Sequence, residues 1–255
     1  MNFLTAVHTD IGIKKKTNQD SALILEANTA KGKVLLAVIC DGMGGLAKGE
    51  LASATVIRAF DEWFKDELPV IIDQGFDAEI LRRGWEDIIY QVNTRVGKYG
   101  RENGFNMGST LLALLICEDN YYIIYVGDTR AYLFDSIPIQ LTKDQTYVQR
   151  EIDMGRMTPE EAEKSPKRNM LLQCVGASDI IDPEFVSGQV KPGQVFILCS
   201  DGFRHVISDQ EIYERLNPQM AVSEQAMTLN AAYLTDLNKY RQETDNITVI
   251  AVRAD

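Results

Sequence analysis

The chain is poor in cysteine and histidine, residues on which several hydrolase mechanisms depend. It contains four cysteines and two histidines in 255 residues. No cysteine pair has the Cys-x-x-Cys spacing of a zinc or redox site, and no Cys-x5-Arg phosphate loop occurs. Without a Gly-x-Ser-x-Gly string, a Ser-His-Asp or Cys-His hydrolase is poorly supported. Buried free thiols are expected at Cys40, Cys117, Cys174 and Cys199.

Long hydrophobic runs are absent as well. The longest are runs such as Leu111 to Cys117, far short of the roughly 18 to 20 residues that span a bilayer. The N-terminal MNFLTAVHTD also lacks the basic, apolar and small-residue regions of a secretory signal. We therefore expect a cytoplasmic protein with no membrane partner.

Positive charge is in short supply. Lysine and arginine number 26 against 37 aspartates and glutamates, a net charge of −11. Because nucleic-acid phosphates are bound by clustered basic residues, this balance argues against nucleic acid as a general partner. The one notable basic cluster is Lys14-Lys15-Lys16.

The composition that remains, 45% hydrophobic and 25% charged, suits a single domain over residues 1–255. Short β-branched runs predict strands at 21–26, 33–40, 110–117, 121–126, 131–134, 195–199 and 247–252. Helical periodicity appears at 50–68, 77–99 and 223–240. The polar triplet Glu118-Asp119-Asn120 between two strands predicts a hairpin, and therefore antiparallel pairing. Antiparallel sheets covered by helices form an α+β fold.

Five aspartates lie at the end of an apolar run or beside a glycine. They stand in the strings TNQDS (Asp20), ICDGMGG (Asp41), YVGDTR (Asp128), LCSDGF (Asp201) and TDNITVI (Asp245). Mg²⁺ and Mn²⁺ prefer oxygen ligands, and a few carboxylates with a carbonyl suffice to hold them. The pattern predicts a metal site assembled from distant strands.

Each string also has a simpler interpretation. A lone strand-end aspartate is most often a helix cap or turn former, so only the joint occurrence favours a metal site. The glycines of GMGGLA, residues 42–47, also fit the loose dinucleotide pattern. That pattern needs an acidic residue about 20 positions later at a strand end, where this chain has a predicted helix. No P-loop string occurs, and Asp41 does not begin an EF-hand loop.

Together and in this order, the five strings resemble the metal-dependent serine/threonine protein phosphatases of type 2C, in their bacterial form. The resemblance covers about residues 9–252. It implies a central antiparallel β-sandwich flanked by helices on both sides, in four layers α-β-β-α. It also implies Mg²⁺- or Mn²⁺-dependent dephosphorylation of phosphoserine and phosphothreonine by a metal-activated water, with no covalent intermediate.

The resemblance assigns metal-binding roles to matching positions. Asp41 would bridge two ions, and the carbonyl of Gly42, which has no side chain, would bind one of them. Asp201 and Asp245 would complete the two-ion site. Asp128, together with Asp201, would hold a weaker third ion.

Other matching positions would support the site. Asp20 would act through water bound to the ions, and Asn246 would orient Asp245 or the turn. Lys15 takes the place of a phosphate-binding arginine, so it keeps the charge but loses the bidentate fork. A solvated basic turn is the alternative for Lys15. Gln19 replaces a common glutamate and would offer a neutral hydrogen bond.

The general acid is less clearly assigned. Met43 occupies the position where animal enzymes carry a histidine, as it does in bacterial members. Leaving-group protonation would then fall to metal-bound water or another group, and His205 is a conceivable donor.

A polar stretch interrupts the strand pattern, and residues 142–185 are expected to form an insertion. Thr158 followed by Pro159 and Glu161 predicts a helix start within it. In the resembled family this location carries a mobile flap that would touch the substrate. The alternative is a surface excursion without a role.

Two further functions remain open alongside the phosphatase. One is a binding module that recognises a phosphoprotein with weak or no turnover. The other is a metal-dependent hydrolase of a small phosphorylated metabolite. For the phosphatase, the expected partner is the phosphorylated substrate of a cytoplasmic serine/threonine kinase, and the expected state is a monomer.

Overall fold

The computed structural model describes residues 1–43 and 48–255. Most of the glycine string at 42–47 therefore lies outside the described residues. The strands are β1 (Phe3–Asp10), β2 (Asp20–Thr29), β3 (Gly32–Asp41), β4 (Leu111–Cys117), β5 (Asn120–Val126), β6 (Arg130–Phe134), β7 (Pro138–Gln140), β8 (Glu184–Gln189), β9 (Val195–Cys199) and β10 (Ile247–Ala254). The helices are α1 (Gly49–Asp66), α2 (Leu68–Asp73), α3 (Ala78–Glu102), α4 (Tyr147–Asp153), α5 (Pro159–Glu163), α6 (Asp201–Arg204), α7 (Asp209–Leu216) and α8 (Glu224–Tyr240).

The strands form two five-stranded antiparallel sheets. The order in one sheet is β1-β10-β9-β6-β7, and in the other it is β2-β3-β4-β5-β8. Strands β4 and β5 form the hairpin that the polar triplet predicts, with Glu118 in the left-handed region at its turn. Most other neighbours in the sheets are distant in sequence, so the two sheets depend on long-range pairing.

The two sheets pack face to face through one apolar layer. The near-continuous apolar sequence of β3 reflects burial on both faces of the strand, because alternate side chains pack into different layers. Leu35 and Ile39 contribute to the layer between the sheets. Leu36 and Val38 instead pack under the helices on the outer face.

Helices cover both outer faces of this sandwich. Helices α1, α2 and α3 pack on the sheet that contains β3. Helices α6, α7 and α8 pack on the sheet that contains β9. The predicted four-layer α+β sandwich is confirmed.

The structure adds elements that the local patterns did not indicate. Strand β1 is part buried and paired along its whole length with β10, near the other end of the chain. Strand β8 is a polar edge strand beside β5, and its first two residues fall inside the predicted 142–185 insertion. The polar residues of β8 weakened the strand pattern there, because an edge strand needs only one buried face.

The helix start expected inside the insertion is present. Thr158 and Glu161 form a reciprocal capping box at the beginning of α5. None of the helices in the described part of the chain has the length and hydrophobicity that a membrane crossing needs.

Candidate metal centre

Antiparallel register brings the sequence-predicted aspartates to one end of the sandwich. Asp20, the first residue of β2, pairs with Asp41, the last residue of β3. Asp201 directly follows Ser200 at the end of β9, and Asp245 precedes the start of β10. Since strand direction alternates, the starts and ends of neighbouring strands meet at this edge.

A cleft of about 250 Å³ opens at this edge. It is lined by Lys15, Asp41, Met43, Thr110, Asp128, Asn169, Leu171, Asp201 and Asp245. Four of the five predicted aspartates therefore share one cleft with the predicted phosphate-binding lysine. Asp20, Gly42, Gln19 and Asn246 are not among the residues that line the cleft.

The backbone of Asp41 is held by Ser109 and Thr110, the two residues that precede β4. The Asp41 backbone N–H donates to the Thr110 hydroxyl over 2.9 Å, and the Ser109 hydroxyl donates to the Asp41 carbonyl over 3.1 Å. The Thr110 N–H donates to the same carbonyl over 2.9 Å. These contacts use up the local backbone groups, so the Asp41 side chain is left to face the cleft.

Gly42 occupies a space that admits no side chain. A Cβ at this position would lie 2.4 Å from the carbonyl oxygen of Gly49 and 2.6 Å from that of Gln19. Its N–H donates to the Gln19 carbonyl over 3.1 Å. Close packing of three backbone segments therefore requires glycine here, at the point where β3 ends and α1 approaches.

The Asp20 carboxylate is buried behind the cleft. Neither of its oxygens has a hydrogen-bond partner of good geometry among the described residues. Burial raises the pKa of Asp20 to about 7; the hydroxyls of Thr248 and Ser200 lower it, and the charge of Asp201 raises it further. A buried carboxylate without partners is costly unless a positive charge or an ordered polar ligand compensates it.

The neighbouring carboxylates share this electrostatic problem. Burial, followed by the charges of Asp20 and Asp201, raises the pKa of Asp41 well above its usual range. Burial and Asp201 raise the pKa of Asp128 to about 7, although the Arg204 guanidinium opposes the rise. So many adjacent carboxylates cannot all be ionised without a compensating cation.

The donor set fits a hard divalent cation. In addition to Asp20, the Oδ1 atom of Asp201 is buried without a hydrogen-bond partner among the described residues. In residues 1–43 and 48–255, no three Asp, Glu, His or Cys side chains converge into a complete ligand set. Mg²⁺ tolerates this, since it keeps several waters and needs only one or two carboxylates. We conclude that the cleft suits Mg²⁺ or Mn²⁺ held by spaced carboxylates.

Lys15 is the cationic side chain of the described cleft lining. Its Nζ lies 2.7 Å from Oδ1 of Asp245. Burial lowers the pKa of Lys15, but the hydrogen bond and charge of Asp245, together with the charges of Asp41 and Asp201, raise it overall. Lys15 is therefore a partly buried cation among the residues that line the cleft.

Asn246 fixes the loop that carries Lys15. Its Nδ2 donates to the carbonyls of Ile11 and Thr17 over 2.9 and 3.3 Å. Its Oδ1 accepts the backbone N–H of Gln19 over 2.9 Å. The side chain of Gln19 turns away to Glu50, 3.3 Å from its Nε2. Asn246 thus joins three backbone groups of this loop.

His205 lies outside the cleft lining. Its Nδ1 is 3.4 Å from Oε2 of Glu243. The hydrogen bond that His205 donates to this carboxylate raises the pKa of His205, against the effect of burial. The His205 ring is therefore paired with Glu243 and joins two loops. It is not placed to donate a proton in the cleft.

Sequence reasoning missed several residues that shape this site. Asn169 and Leu171 reach the cleft from the predicted insertion. Arg130 forms a two-point pair with Asp144 at 2.8 and 2.9 Å. No local pattern marks Asp144, which lies in an ordinary polar segment. For Thr110, the Gly-Ser-Thr string at 108–110 was an available signal.

Comparisons with known proteins show the family to which the chain belongs. The family model described as Protein phosphatase 2C matches residues 13–239. The chain is 34% identical over 247 residues to the serine/threonine protein phosphatase PstP of Mycobacterium tuberculosis, covering 96% of this chain but 44% of that protein. It is 29% identical to the serine/threonine phosphatase stp of Listeria innocua, covering 96% of this chain and 93% of that protein.

A solved structure shares the fold. The crystal structure of the catalytic domain of PstP in complex with two manganese ions superposes with a TM-score of 0.79. That comparison has 30% sequence identity and covers 99% of both chains. With the family model spanning most of its length, this chain belongs to the protein phosphatase 2C family.

Proposed function

We propose that the chain catalyses Mg²⁺- or Mn²⁺-dependent dephosphorylation of phosphoserine and phosphothreonine in proteins. One observation carries the proposal: Asp41, Asp128, Asp201 and Asp245 share a cleft with a charged lysine, Lys15. Four carboxylates repel a phosphate dianion unless cations reverse the sign of the pocket. The relatives named serine/threonine phosphatases, and the one with two manganese ions, support the same reaction.

The metal-binding roles follow the chemistry of the donors. Asp41, Asp201 and Asp245 would hold two ions, with the Gly42 carbonyl as a further ligand. Asp128 would hold a third, weaker ion. When bound, the ions supply a water of lowered pKa as nucleophile and neutralise charge on the phosphate.

The remaining side chains have supporting tasks. Asp20, buried behind the cleft, would accept hydrogen bonds from water at the site. Gln19 and Asn246 would keep the Lys15 loop in place, since Asn246 bonds three backbone groups of that loop. Lys15 would bind a phosphate oxygen as a point charge, less precisely oriented than an arginine would be.

A covalent enzyme intermediate is not part of the proposal. The described cysteines are all buried. Burial raises the pKa of the Cys40, Cys117, Cys174 and Cys199 thiols, which keeps them protonated and poor nucleophiles. The hydroxyl of Thr110, within the cleft, already accepts a hydrogen bond from the Asp41 backbone.

The size of the cleft favours a protein substrate over a small metabolite. The cleft volume of about 250 Å³ is below the roughly 300 to 1,000 Å³ usual for pockets that enclose small ligands. Residues 142–185 would act as the flap, because Asn169 and Leu171 line the cleft. The phosphoprotein would be the product of a serine/threonine kinase, and the phosphatase would act as a cytoplasmic monomer.

Hydrolysis of a phosphothreonine peptide tests the proposal. Purified protein is assayed with Mn²⁺, with Mg²⁺ and with a chelator. We expect metal-dependent turnover that falls at least about a hundredfold in Asp41→Asn and in Asp201→Asn, because each loses a charged ligand.

Asp236→Asn is the matched control, since this aspartate is three-quarters exposed on α8, and it should retain full activity. A folded protein that binds the phosphopeptide but turns it over with neither ion would instead be a binding module. Faster hydrolysis of small phosphorylated metabolites than of phosphopeptides would favour the metabolite hydrolase.

A further inference from the structure

Arg204 is a buried cation directly behind the cleft. It is the last residue of α6, which begins with Asp201, and its side chain is only 11% exposed. Its Nε has no hydrogen-bond partner among the described residues. A buried guanidinium costs stability unless nearby anions compensate its charge. The anions around Arg204 therefore indicate the role of its charge.

The partners of Arg204 are Asp128 and Asp144. Its Nη2 donates to the Asp128 backbone carbonyl over 2.8 Å and lies 3.6 Å from Oδ2 of the Asp128 carboxylate. The same nitrogen is 3.3 Å from Oδ2 of Asp144. Arg204 therefore contacts the backbone and the side chain of a cleft aspartate at once.

Asp144 cannot neutralise Arg204 alone. Arg130 already binds both oxygens of Asp144, at 2.8 and 2.9 Å. Two guanidinium groups thus share one carboxylate. Arg130 has a further acidic neighbour in Asp209, 3.9 Å away and half exposed. For Arg204, the remaining negative charge within 4 Å in the described chain is Asp128.

The Asp128 carboxylate consequently lies between the positive charge of Arg204 and the cleft. One side meets Arg204, and the other lines the cleft. A cation in the cleft near Asp128 would be repelled by the fixed charge of Arg204, and low local polarity would strengthen the repulsion. The carbonyl hydrogen bond prevents the guanidinium from moving away without losing a partner.

We propose that Arg204 is a positioning residue that competes with a divalent cation for Asp128, and so weakens the last ion to bind in the cleft. The inference rests on the proposed function, because it assigns Asp128 to a cation. The site then has tightly and weakly bound ions, and the charge of Arg204 lowers the affinity of the weakly bound one. The affinity of the weak ion then depends on the balance between Arg204 and Asp144.

Two substitutions test this balance, one that removes a positive charge and one that removes a negative charge. Arg204→Gln removes the competing charge, while its amide still can donate to the Asp128 carbonyl. Asp144→Asn leaves Arg204 and Arg130 less compensated. We expect the weakest Mn²⁺ dissociation constant to tighten about tenfold in the first variant and to weaken about tenfold in the second, as fixed charges at this range allow.

Mn²⁺ binding is measured by calorimetry and by the electron paramagnetic resonance signal of free Mn²⁺, without substrate. Arg204→Lys, which keeps the charge, should bind the weakest ion as the parent does. Adding Asp128→Asn to Arg204→Gln should remove the tightening. Arg204→Met repeats the test if the glutamine variant does not fold, and Asp144→Asn tests the same balance from the other side.

A merely structural role for Arg204 would weaken binding in both variants or change it in neither, and either result overturns the proposal. Phosphopeptide hydrolysis by the unmodified protein is assayed separately. Absence of that activity would remove the proposed function, whereas the opposite shifts in Mn²⁺ affinity would still establish Arg204 as the competing charge.

Discussion

At the scale of single residues, the candidate metal centre is shaped by side chains that do not line the cleft. Glu243 is the clearest case, because its side chain is almost fully buried two residues before Asp245. Its Oε1 accepts the backbone N–H groups of Thr244 and Asp245 over 2.6 and 2.9 Å. Its Oε2 faces His205, four residues after Asp201. One carboxylate therefore joins the loops that present two cleft aspartates.

Replacing Glu243 by alanine should loosen the Asp245 loop. We expect Mn²⁺ affinity to fall roughly tenfold to a hundredfold, the usual effect of removing a group that orients a metal ligand. Glu243→Gln keeps an oxygen acceptor for the two N–H groups and should lose much less. Calorimetric titration with Mn²⁺ measures both variants, and equal affinity in Glu243→Ala and the parent protein would disprove the orienting role.

At the scale of elements, helix α3 has a capped N-terminus and contains two glycines, Gly84 and Gly97, that differ in how closely they are packed. Asp77 caps the helix by accepting the N–H groups of Glu79 and Ile80 over 2.8 and 3.1 Å. Gly84 lies in open space, where an added Cβ would meet only Trp63 Nε1 at 3.8 Å. Gly97 is different, because a Cβ there would lie 2.9 Å from the Gly176 carbonyl oxygen.

Alanine substitutions at these two glycines should therefore have opposite effects on stability. Gly84→Ala should raise the free energy of unfolding by up to about 1 kcal/mol, since alanine loses less backbone entropy in a helix. Gly97→Ala should lower it by about 1 to 3 kcal/mol through the clash with fixed backbone. Urea unfolding measures both, and destabilisation by Gly84→Ala would show that the space beside Trp63 is not available.

At the scale of the whole molecule, ion pairs join helices of the outer layer to one another. Glu211 in α7 binds Arg241, just after α8, through two contacts at 2.6 and 3.0 Å. The Arg241 hydrogen bond, together with those from the Ser208 N–H and hydroxyl, lowers the pKa of Glu211 from 4.5 to about 2. Both side chains are about one-third exposed, so solvent screening keeps the contribution of this pair to stability small.

This pair predicts part of the acid dependence of stability. Because the folded-state pKa of Glu211 is lowered, its contribution is complete above pH 4.5 and is lost as the pH falls towards about 2. Glu211→Gln should thus be less stable than the parent at pH 7, and the difference should shrink across that range. Urea unfolding at several pH values measures it, with Glu214→Gln on the same helix as control; a difference independent of pH would contradict the assignment.

Much of the fold was accessible from local sequence. The apolar periods of β3, β4, β9 and β10 and of the three long helices predicted those elements, because each pattern reflects burial on one or two faces. The five aspartate strings predicted one shared site, and four of the five aspartates line one cleft. The resemblance to type 2C phosphatases, and the four-layer sandwich that it implied, are confirmed.

By itself, the sequence determined which residues can bind a cation and which segments can form strands and helices, since both follow from side-chain chemistry within a few residues. Only the tertiary structure decided what surrounds them. Asn246 reaches Gln19 from 227 positions away, and Arg204 reaches the Asp128 carbonyl from 76 positions away. These contacts are set by the pairing of distant strands, and no local propensity encodes the register that brings them together.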